Sequence, residues 1–439
     1  MFFRSFRLCC CVVAVAFVAF ALAPAAKATQ ALPSEAALAT ELRLADATAW
    51  AVARSPALSE LRQLQSASQF DSQAAQHLPD PQLKYEQWSV PLRRPWALDH
   101  AGAVMVGLQQ VIPPAGTRGA RSQAEAAQVQ ALRSDEQVRR LQVVAQVHKA
   151  FAAYYQAHWQ LVLHQQHSAL VEKLLALARV AYQSGVRTQQ DVVRLGLEFS
   201  RVHETLVRLQ PELGSAKALM NTLMNRPVDA PLGPPAQLDP SPFAANFVAP
   251  DNVDANRPEV KVAQANVLRS QAMLNVAAHS AKRPMVMVGV DYMFMPNDMY
   301  QHTYGAMVAV GLPWLNPGRS EEERAARHRL AANKDALESV RLMARYELRD
   351  AQMRMQAARA SYDVLQRDVV LQAQRNLDTA RSMYSAGQSD ASALMDAARL
   401  FLEVQMDKVR SLALLQEAAA DLSRALTVDT DLDSQERKR

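Results

Sequence analysis

The feature that most constrains the fold is a long stretch between two glycines that occurs twice in the chain. The first copy runs from Gly116 to Gly185 and the second from Gly318 to Gly387, so the bounding glycines are 69 positions apart in both copies. Neither copy contains proline, and glycine is almost absent between the bounding positions, which favours uninterrupted helix. A helix of this length is roughly 100 Å long. Such a rod must pack against other helices.

The two copies belong to a larger tandem repeat. Many residues that are 202 positions apart are identical, among them Pro56 and Pro258, Leu175 and Leu377, Tyr182 and Tyr384, Phe199 and Phe401, and Leu213 and Leu415. One constant offset held over roughly 150 residues indicates duplication with few insertions.

The repeat predicts the organisation of the whole chain. We divide it into a signal peptide, a first repeat, a linker, a second repeat and a charged tail, at 1–28, 29–226, 227–255, 256–428 and 429–439. Each repeat has a helix, a strand pair, a long helix, a turn and a further helix. The strand pairs are predicted at 83–110 and 285–312, the long helices at 117–183 and 319–385, and the helices that follow them at 188–225 and 389–426.

The N-terminus has the pattern of a secretory signal. Arg4 and Arg7 precede an apolar run, and the A-x-A site at Ala26–Ala28 predicts cleavage after Ala28. All three cysteines lie within this segment, so the mature protein is expected to have neither a disulfide nor a thiolate metal site. We expect an exported protein without a lipid on Cys9, because Phe6-Arg7-Leu8 lacks the small residues that lipidation needs.

Composition excludes several classes of function. The net charge of +5 arises from 48 basic and 43 acidic residues that are interspersed, so a nucleic-acid-binding surface is not expected. No run of about 20 apolar residues follows the signal peptide, which argues against a transmembrane helix. No catalytic triad, phosphate-binding loop or dinucleotide fingerprint is present, so we expect neither an enzyme nor a cofactor.

The strands are clearest in the second repeat. From Met285 to Met295 and from His302 to Leu312, large apolar residues alternate with small or polar ones. This alternation and the length of each run suit a strand with lipid on one side and a lumen on the other. A hairpin packed on the protein's own core gives the same pattern. The signal peptide and the repeat favour the membrane.

Geometry then limits the assembly. The two shorter helices of each repeat are together about as long as the long helix, so they can stack end to end beside it. The four strands then lie at one end of a helical rod. Four strands cannot close a membrane barrel, because barrels begin at about eight strands and an open edge in lipid leaves backbone groups unpaired. A chain of this kind must oligomerise to span a membrane, and three copies supply enough strands for a lumen.

These features resemble the TolC family of outer-membrane efflux channels. The resemblance covers essentially the whole mature chain through the duplication, the strand pairs and the Tyr-x-x-Gly turns. It implies a mainly helical fold with membrane strands, in which duplicated long-helix hairpins form a trimeric periplasmic α-helical barrel capped by a β-barrel with four strands per chain. It also implies a homotrimer in outer-membrane lipid that binds a periplasmic adaptor (membrane-fusion) protein and an inner-membrane pump. The motifs at 78–81 and 110–116 resemble the heavy-metal efflux branch.

The resemblance also suggests gate residues. Acidic residues a short distance beyond the second turn narrow the closed end of family tunnels, and the spacing from Gly387 places Asp396 at one such position. The other family position is Ala393 here. Asp191 holds the corresponding place in the first repeat, offset by one heptad-compatible step along the helix. It is the second candidate. A ring of carboxylates biases passage toward cations. Solvated carboxylates on a helix surface remain the alternative for both residues.

The two turns are candidates for docking the adaptor. The helix tips are Gly185-Val186 and Gly387-Gln388. A glycine at a helix end is usually a C-cap. Both interpretations can hold, because the cap forms the tip that protrudes.

Two groups of residues contain side chains that can bind metals. Methionines cluster near the second strand pair, at Met285, Met287, Met293, Met295, Met299 and Met307. Thioethers bind soft metals, but methionine also fills apolar space, and we expect the alternation to divide these residues between two faces. On the first long helix, His148, His158, His164 and His167 are expected on a solvated face. No metal site is predicted.

Three hypotheses follow for the function. The first is the outer-membrane exit duct of a tripartite efflux system, passively conducting metal ions or small toxic compounds. The second is the exit duct of a type I protein secretion system. The third is a periplasmic coiled-coil scaffold whose strands pack internally.

Overall fold

The computed structural model describes residues 33–90, 93, 101–186, 188–241, 256–295 and 301–427. The predicted signal peptide and the charged tail lie outside these residues, as do linker residues 242–255. None of the described helices contains a segment long and apolar enough to cross a membrane.

The described part of the first repeat has five helices and two strands. In chain order they are α1 (Glu35–Thr40), α2 (Leu44–Arg54), α3 (Pro56–Ala74), β1 (Gln82–Trp88), β2 (Ala103–Ile112), α4 (Thr117–Gln183) and α5 (Gln189–Leu223).

The second repeat has the same plan, with one long helix divided. Its elements are α6 (Pro258–Lys282), β3 (Val286–Met295), β4 (Gln301–Val310), a 3₁₀ turn (Pro313–Leu315), α7 (Pro317–Val364), α8 (Val370–Ser385) and α9 (Ala391–Leu426). A π-helical segment, Leu365–Val369, joins α7 to α8 without a break in the helical path. The long helix of this repeat therefore carries a bulge that α4 lacks.

Pro56 separates α2 from α3, as the sequence predicts. Ser55 is extended, and Pro56 is the first residue of α3. Proline disfavours a helical conformation in the residue before it and lacks an amide proton, so it ends one helix and can begin the next.

Helix α3 runs antiparallel to the first part of α4. The Arg62 guanidinium donates to Glu136 over 2.8 Å near the start of α3, and the Gln76 amide, just beyond its end, donates to the Ser122 hydroxyl over 3.0 Å. Helix α5 packs along the last part of α4. The shorter helices thus lie beside the long one, one at each end.

Two hydrophobic cores hold the helices together. The larger core surrounds the middle of α4, where Phe151 and Tyr154 are buried among residues of α2, α5, α7 and α9. The smaller core lies near the glycine turns and joins α4, α5, α8 and α9; it contains Val171, Leu175, Leu195, Leu377, Leu394 and Met395.

A buried arginine fixes the start of α6. Arg257 is only 1% exposed, and its guanidinium donates to the Ala344 carbonyl over 2.8 Å and to the Glu347 carboxylate over 2.7 Å. A buried charge needs such partners to offset its lost hydration. Arg257 therefore attaches the start of the second repeat to α7.

The first part of the linker is irregular, but it is packed onto the larger core. The Leu42 amide donates to the Pro234 carbonyl over 2.9 Å, and the Tyr154 hydroxyl donates to the Gly233 carbonyl over 2.6 Å. Leu232 and Leu238 are buried. The Arg359 guanidinium of α7 donates to the Ser241 hydroxyl over 2.9 Å. The described linker is thus attached to both repeats at mid-height of the helices.

The four strands form one antiparallel sheet in the order β1-β2-β3-β4. The central pair joins the two repeats, with Leu108 of β2 opposite Val290 of β3. Within the described residues, β1 and β4 each pair on one side only. The sheet therefore has two open edges.

Candidate functional site

One face of the sheet is apolar and exposed. A single row across all four strands consists of Tyr85, Val106, Tyr292 and Tyr304, and Tyr304 is 86% exposed. The neighbouring rows on this face add the exposed residues Leu83, Leu108, Val290, Val308 and Val310. A contiguous apolar surface of this kind requires an apolar environment.

The opposite face carries small and polar residues. Its central row contains Lys84, Gly107, Asp291 and Gly305. The Asp291 side chain lies over Gly107, so that a Cβ built on Gly107 would meet the carboxylate oxygen at 1.9 Å. The predicted alternation of large apolar residues with small or polar ones in the second strand pair is confirmed. Because the strands are paired in register, the first strand pair continues the same two faces.

The expected division of the methionines between two faces is wrong. Met287 lies opposite Ala309 and Met293 lies opposite Thr303, so the register pairs odd-numbered residues of β3 with odd-numbered residues of β4. Met287, Met293, Met295 and Met307 therefore share the polar face. Met105 joins them, because it pairs with Met293. Met299 lies outside the described residues.

The two helix tips have the same geometry. Gly185 and Gly387 both have φ of +74°, a conformation that glycine adopts without strain. The Val186 amide donates to Ala181 over 2.9 Å, and the Gln388 amide donates to Met383 over 2.9 Å. These six-to-one bonds define Schellman caps. Val186 and Gln388 are exposed at the tips, where a partner can reach them.

The helices that follow the turns begin with matching caps. The Thr188 hydroxyl accepts from the Asp191 amide over 3.3 Å, and the Asp390 carboxylate accepts from the Ala393 amide over 3.0 Å. Asp191 is only 8% exposed in the first turn of α5. Near this level the Arg194 guanidinium of α5 donates to the Ser392 hydroxyl of α9 over 2.8 Å.

Asp396 lies on α9 and is accessible. Its side chain is 73% exposed, and its nearest ionic partner is the Arg399 guanidinium at 3.7 Å on the same helix. Of the two predicted gate residues, Asp396 thus has the exposed carboxylate that a lumen position requires. The burial of Asp191 makes it the weaker candidate.

Arg399 also joins α9 to α5, in a contact that sequence reasoning missed. Its guanidinium donates from both Nε and Nη2 to the two oxygens of Glu198, with an Nε–Oε1 distance of 2.9 Å. Glu198 is buried, and bonding to Arg399 holds the pKa of its carboxyl below the ordinary value. The two residues are not related by the repeat offset. Only the fold shows that they meet.

The expectation of a solvated histidine face on α4 is wrong. His148 and His167 are buried, while His158 and His164 are partly buried. Burial lowers the pKa of His158, His164 and His167. The helices that pack against α4 cover these residues. Among the described residues, no cluster of His, Cys, Asp and Glu is arranged to hold a metal ion.

The second repeat matches a known protein family. Residues 249–428, which contain every element from α6 to α9, match the model of the family described as outer membrane efflux protein. A search of curated proteins gives no significant match.

Solved channel structures share the fold over nearly the whole chain. The open-state MtrE outer membrane channel of Neisseria gonorrhoeae has a TM-score of 0.74 at 19% identity, covering 88% of this chain and 89% of its own. The CmeC outer membrane channel of Campylobacter jejuni has a TM-score of 0.73 at 12% identity, covering 90% and 89%. For CusC the TM-score is 0.74 at 16% identity, covering 87% and 91%. At these identities the similarity establishes the fold.

Long paired helices with a four-stranded sheet at one end are a fold that this chain shares with solved outer membrane channels. The second repeat matches the outer membrane efflux protein family, and the fold of nearly the whole chain is similar to that of solved outer membrane channels. The matched family is described as located in the outer membrane.

Proposed function

We propose that three copies of this chain form the exit duct of a tripartite efflux system. The observation that carries the proposal is the sheet, which has an exposed apolar face and two open edges. An open edge in lipid leaves backbone N–H and C=O groups without partners. Pairing β1 of one copy with β4 of the next removes every edge, and three copies then supply twelve strands, above the minimum of about eight.

The lumen of such an assembly is lined by the polar face of the sheet. Lys84, Asp291 and the three glycines Gly107, Gly289 and Gly305 lie on this face. Small side chains leave space for passage. Below the sheet the paired helices continue the duct. Asp396 narrows its far end, and Asp191 is the second, less exposed candidate for that role.

The helix tips are proposed to dock a periplasmic adaptor, which connects the duct to an inner-membrane pump. Gly185, Val186, Gly387 and Gln388 lie at the chain reversals and are exposed. Both tips lie at the end of the helices opposite the sheet. A partner can therefore reach them without entering the membrane.

We propose metal ions or small toxic compounds as the substrates. The motifs at 78–81 and 110–116 favour the heavy-metal branch, and a ring of Asp396 carboxylates favours cations. The five methionine side chains on the lumen face add soft ligands to its surface. The alternative is the exit duct of a type I secretion system, which uses the same architecture.

The proposal is tested by reconstituting protein extracted from outer membranes in mild detergent. We expect a heat-labile trimer that conducts ions in planar bilayers and prefers cations. Asp396→Asn should weaken that preference, whereas Asp71→Asn, an exposed carboxylate on α3, should leave it unchanged. A monomer that extracts without detergent would refute the duct. Equal cation preference in both variants would refute the assignment of Asp396.

A further inference from the structure

A buried histidine lies against the ion pair that joins α5 to α9. The Nε2 atom of His167 on α4 is 3.7 Å from Oε1 of Glu198, the same oxygen that accepts from Arg399. The His167 side chain is only 4% exposed, and its Nε2 makes no hydrogen bond. Three helices therefore meet at one carboxylate.

Arg399 has a second carboxylate within reach. Asp396 lies one turn earlier on the same helix at 3.7 Å, and both side chains are partly or largely exposed, at 47% for Arg399 and 73% for Asp396. Bonding to Glu198 connects α9 to α5. Bonding to Asp396 keeps the arginine on its own helix. The choice of partner thus decides whether Arg399 contributes to the contact between the two helices.

We propose that His167 is a proton-operated switch that decides which carboxylate Arg399 binds. When His167 is neutral, Glu198 holds Arg399 and joins α5 to α9. When His167 takes up a proton from solvent, its Nε2–H donates to Glu198 and competes for the oxygen that Arg399 uses. Arg399 then turns to Asp396, which separates the helices and neutralises the carboxylate proposed to line the constriction.

The charged groups around His167 set the direction of the switch. Burial is the main reason that the pKa of His167 lies below its ordinary value of 6.5; Glu198 opposes this effect, and Arg399 adds to it. His167 in turn helps to lower the pKa of His164 on the same helix, and Arg381 of α8 lines the cavity beside His167. Bonding to Arg399 lowers the pKa of the Glu198 carboxyl, which favours its ionised form as the pH falls.

A cavity beside His167 gives the proton a route. It has a volume of about 250 Å³, is partly open, and lies between α4, α8 and α9. Its walls are mostly apolar, with Leu170, Leu377 and Phe401 among them. A buried histidine that becomes charged favours conformations that hydrate it. Acidification should therefore favour a conformation in which water from this cavity reaches His167.

The test uses the full-length protein with spin labels on Ser200→Cys and Leu400→Cys, two exposed positions that flank the ion pair on α5 and α9. The label distance is measured between about pH 8 and pH 5, the range over which histidine changes charge. We expect a second, longer distance to grow in acid. His167→Gln should keep the short distance at every pH, and Glu198→Gln should show the long distance even at neutral pH. His203→Gln, an exposed histidine on α5, should behave like the unmodified protein.

Conductance in bilayers supplies the second readout, and this part depends on the proposed function. Conductance should rise about fivefold or more in acid, the low end of typical coupling between sites, and His167→Gln should abolish the rise. An acid response that survives in His167→Gln, or no change of distance in the unmodified protein, overturns the switch. A protein that changes distance but forms no channel overturns the proposed function and leaves the switch supported.

Discussion

Gly185 and Gly387, which are 202 residues apart, have the same φ of +74° and close their helices with the same pair of hydrogen bonds. In each turn the glycine amide donates to a tyrosine carbonyl, from Tyr182 or Tyr384, over 3.0 or 3.1 Å. The duplicated sequence thus forms a duplicated turn, and both tips lie at the same end of the helices.

Replacing either turn glycine by alanine should weaken its tip. No atom lies within 4 Å of the Cβ that would be added, so the cost comes from the backbone alone. A left-handed conformation costs an L-residue about 1–2 kcal/mol. Hydrogen exchange of the Val186 and Gln388 amides should quicken accordingly. Gly214→Ala, within α5 and also without steric contact, should instead stabilise its helix by about 0.5–1 kcal/mol. If alanine changed amide exchange in the same direction at Gly185, Gly387 and Gly214, the backbone explanation would be contradicted.

Gly107→Ala should disrupt the sheet. The added Cβ would lie 1.9 Å from the Asp291 carboxylate and 2.9 Å from the Val290 carbonyl, and the second contact is with backbone that cannot turn away. Overpacking of this kind costs about 1–3 kcal/mol. The yield of heat-labile trimer in outer membranes should fall. Gly305→Ala is the matched control, because its nearest neighbour would be 3.9 Å away; a similar loss there would count against the steric explanation.

Arg257→Ala should destabilise the junction between α6 and α7. It removes the guanidinium that binds the Ala344 carbonyl and Glu347, while Arg424 stays 3.5 Å from Glu347. Because Glu347 is one-third exposed, we expect about 2–3 kcal/mol, below the 3–5 kcal/mol typical of a broken buried pair. Denaturant unfolding measures the change. Arg324→Ala removes an exposed pair with Glu321 and should cost less than about 0.5 kcal/mol.

Tyr154→Phe should loosen the linker. It removes the hydrogen bond to the Gly233 carbonyl and should cost about 1–2 kcal/mol. Burial raises the pKa of Tyr154 from 10.0 to about 12. This stability is fully present below pH 10.0 and is lost as the pH rises toward about 12, because the unfolded chain ionises first. Unfolding midpoints measured across that range should therefore converge with those of Tyr154→Phe; parallel curves would contradict the assignment.

Sequence reasoning was most successful where pattern and geometry agree. The glycine-bounded helices, the break at Pro56 and both strand pairs follow from proline, glycine and hydrophobic period alone. Alternation in β3 and β4 predicts the two faces of the sheet. The methionines of these strands all have odd numbers, so the same alternation places them together on one face.

Other features leave no mark in a single sequence. The π-helical segment Leu365–Val369 contains neither glycine nor proline, so its composition is that of ordinary helix. The contact between Glu198 and Arg399 depends on the relative register of two hairpins from different repeats. Burial of His167 depends on which helices cover α4. Each is set by packing between distant elements, which periodicity within one helix does not report.

The open edges of the sheet have a genetic consequence. In the proposed trimer, every subunit offers β4 to one neighbour and β1 to the other, so a subunit damaged only at β1 still captures a sound partner through β4. Such a subunit enters mixed trimers and leaves one of their strand edges unpaired, so the barrel does not close. When it is produced together with the normal chain, most assemblies contain at least one damaged member. Alleles altered at a single edge are therefore expected to be dominant, whereas alleles that abolish folding are expected to be recessive.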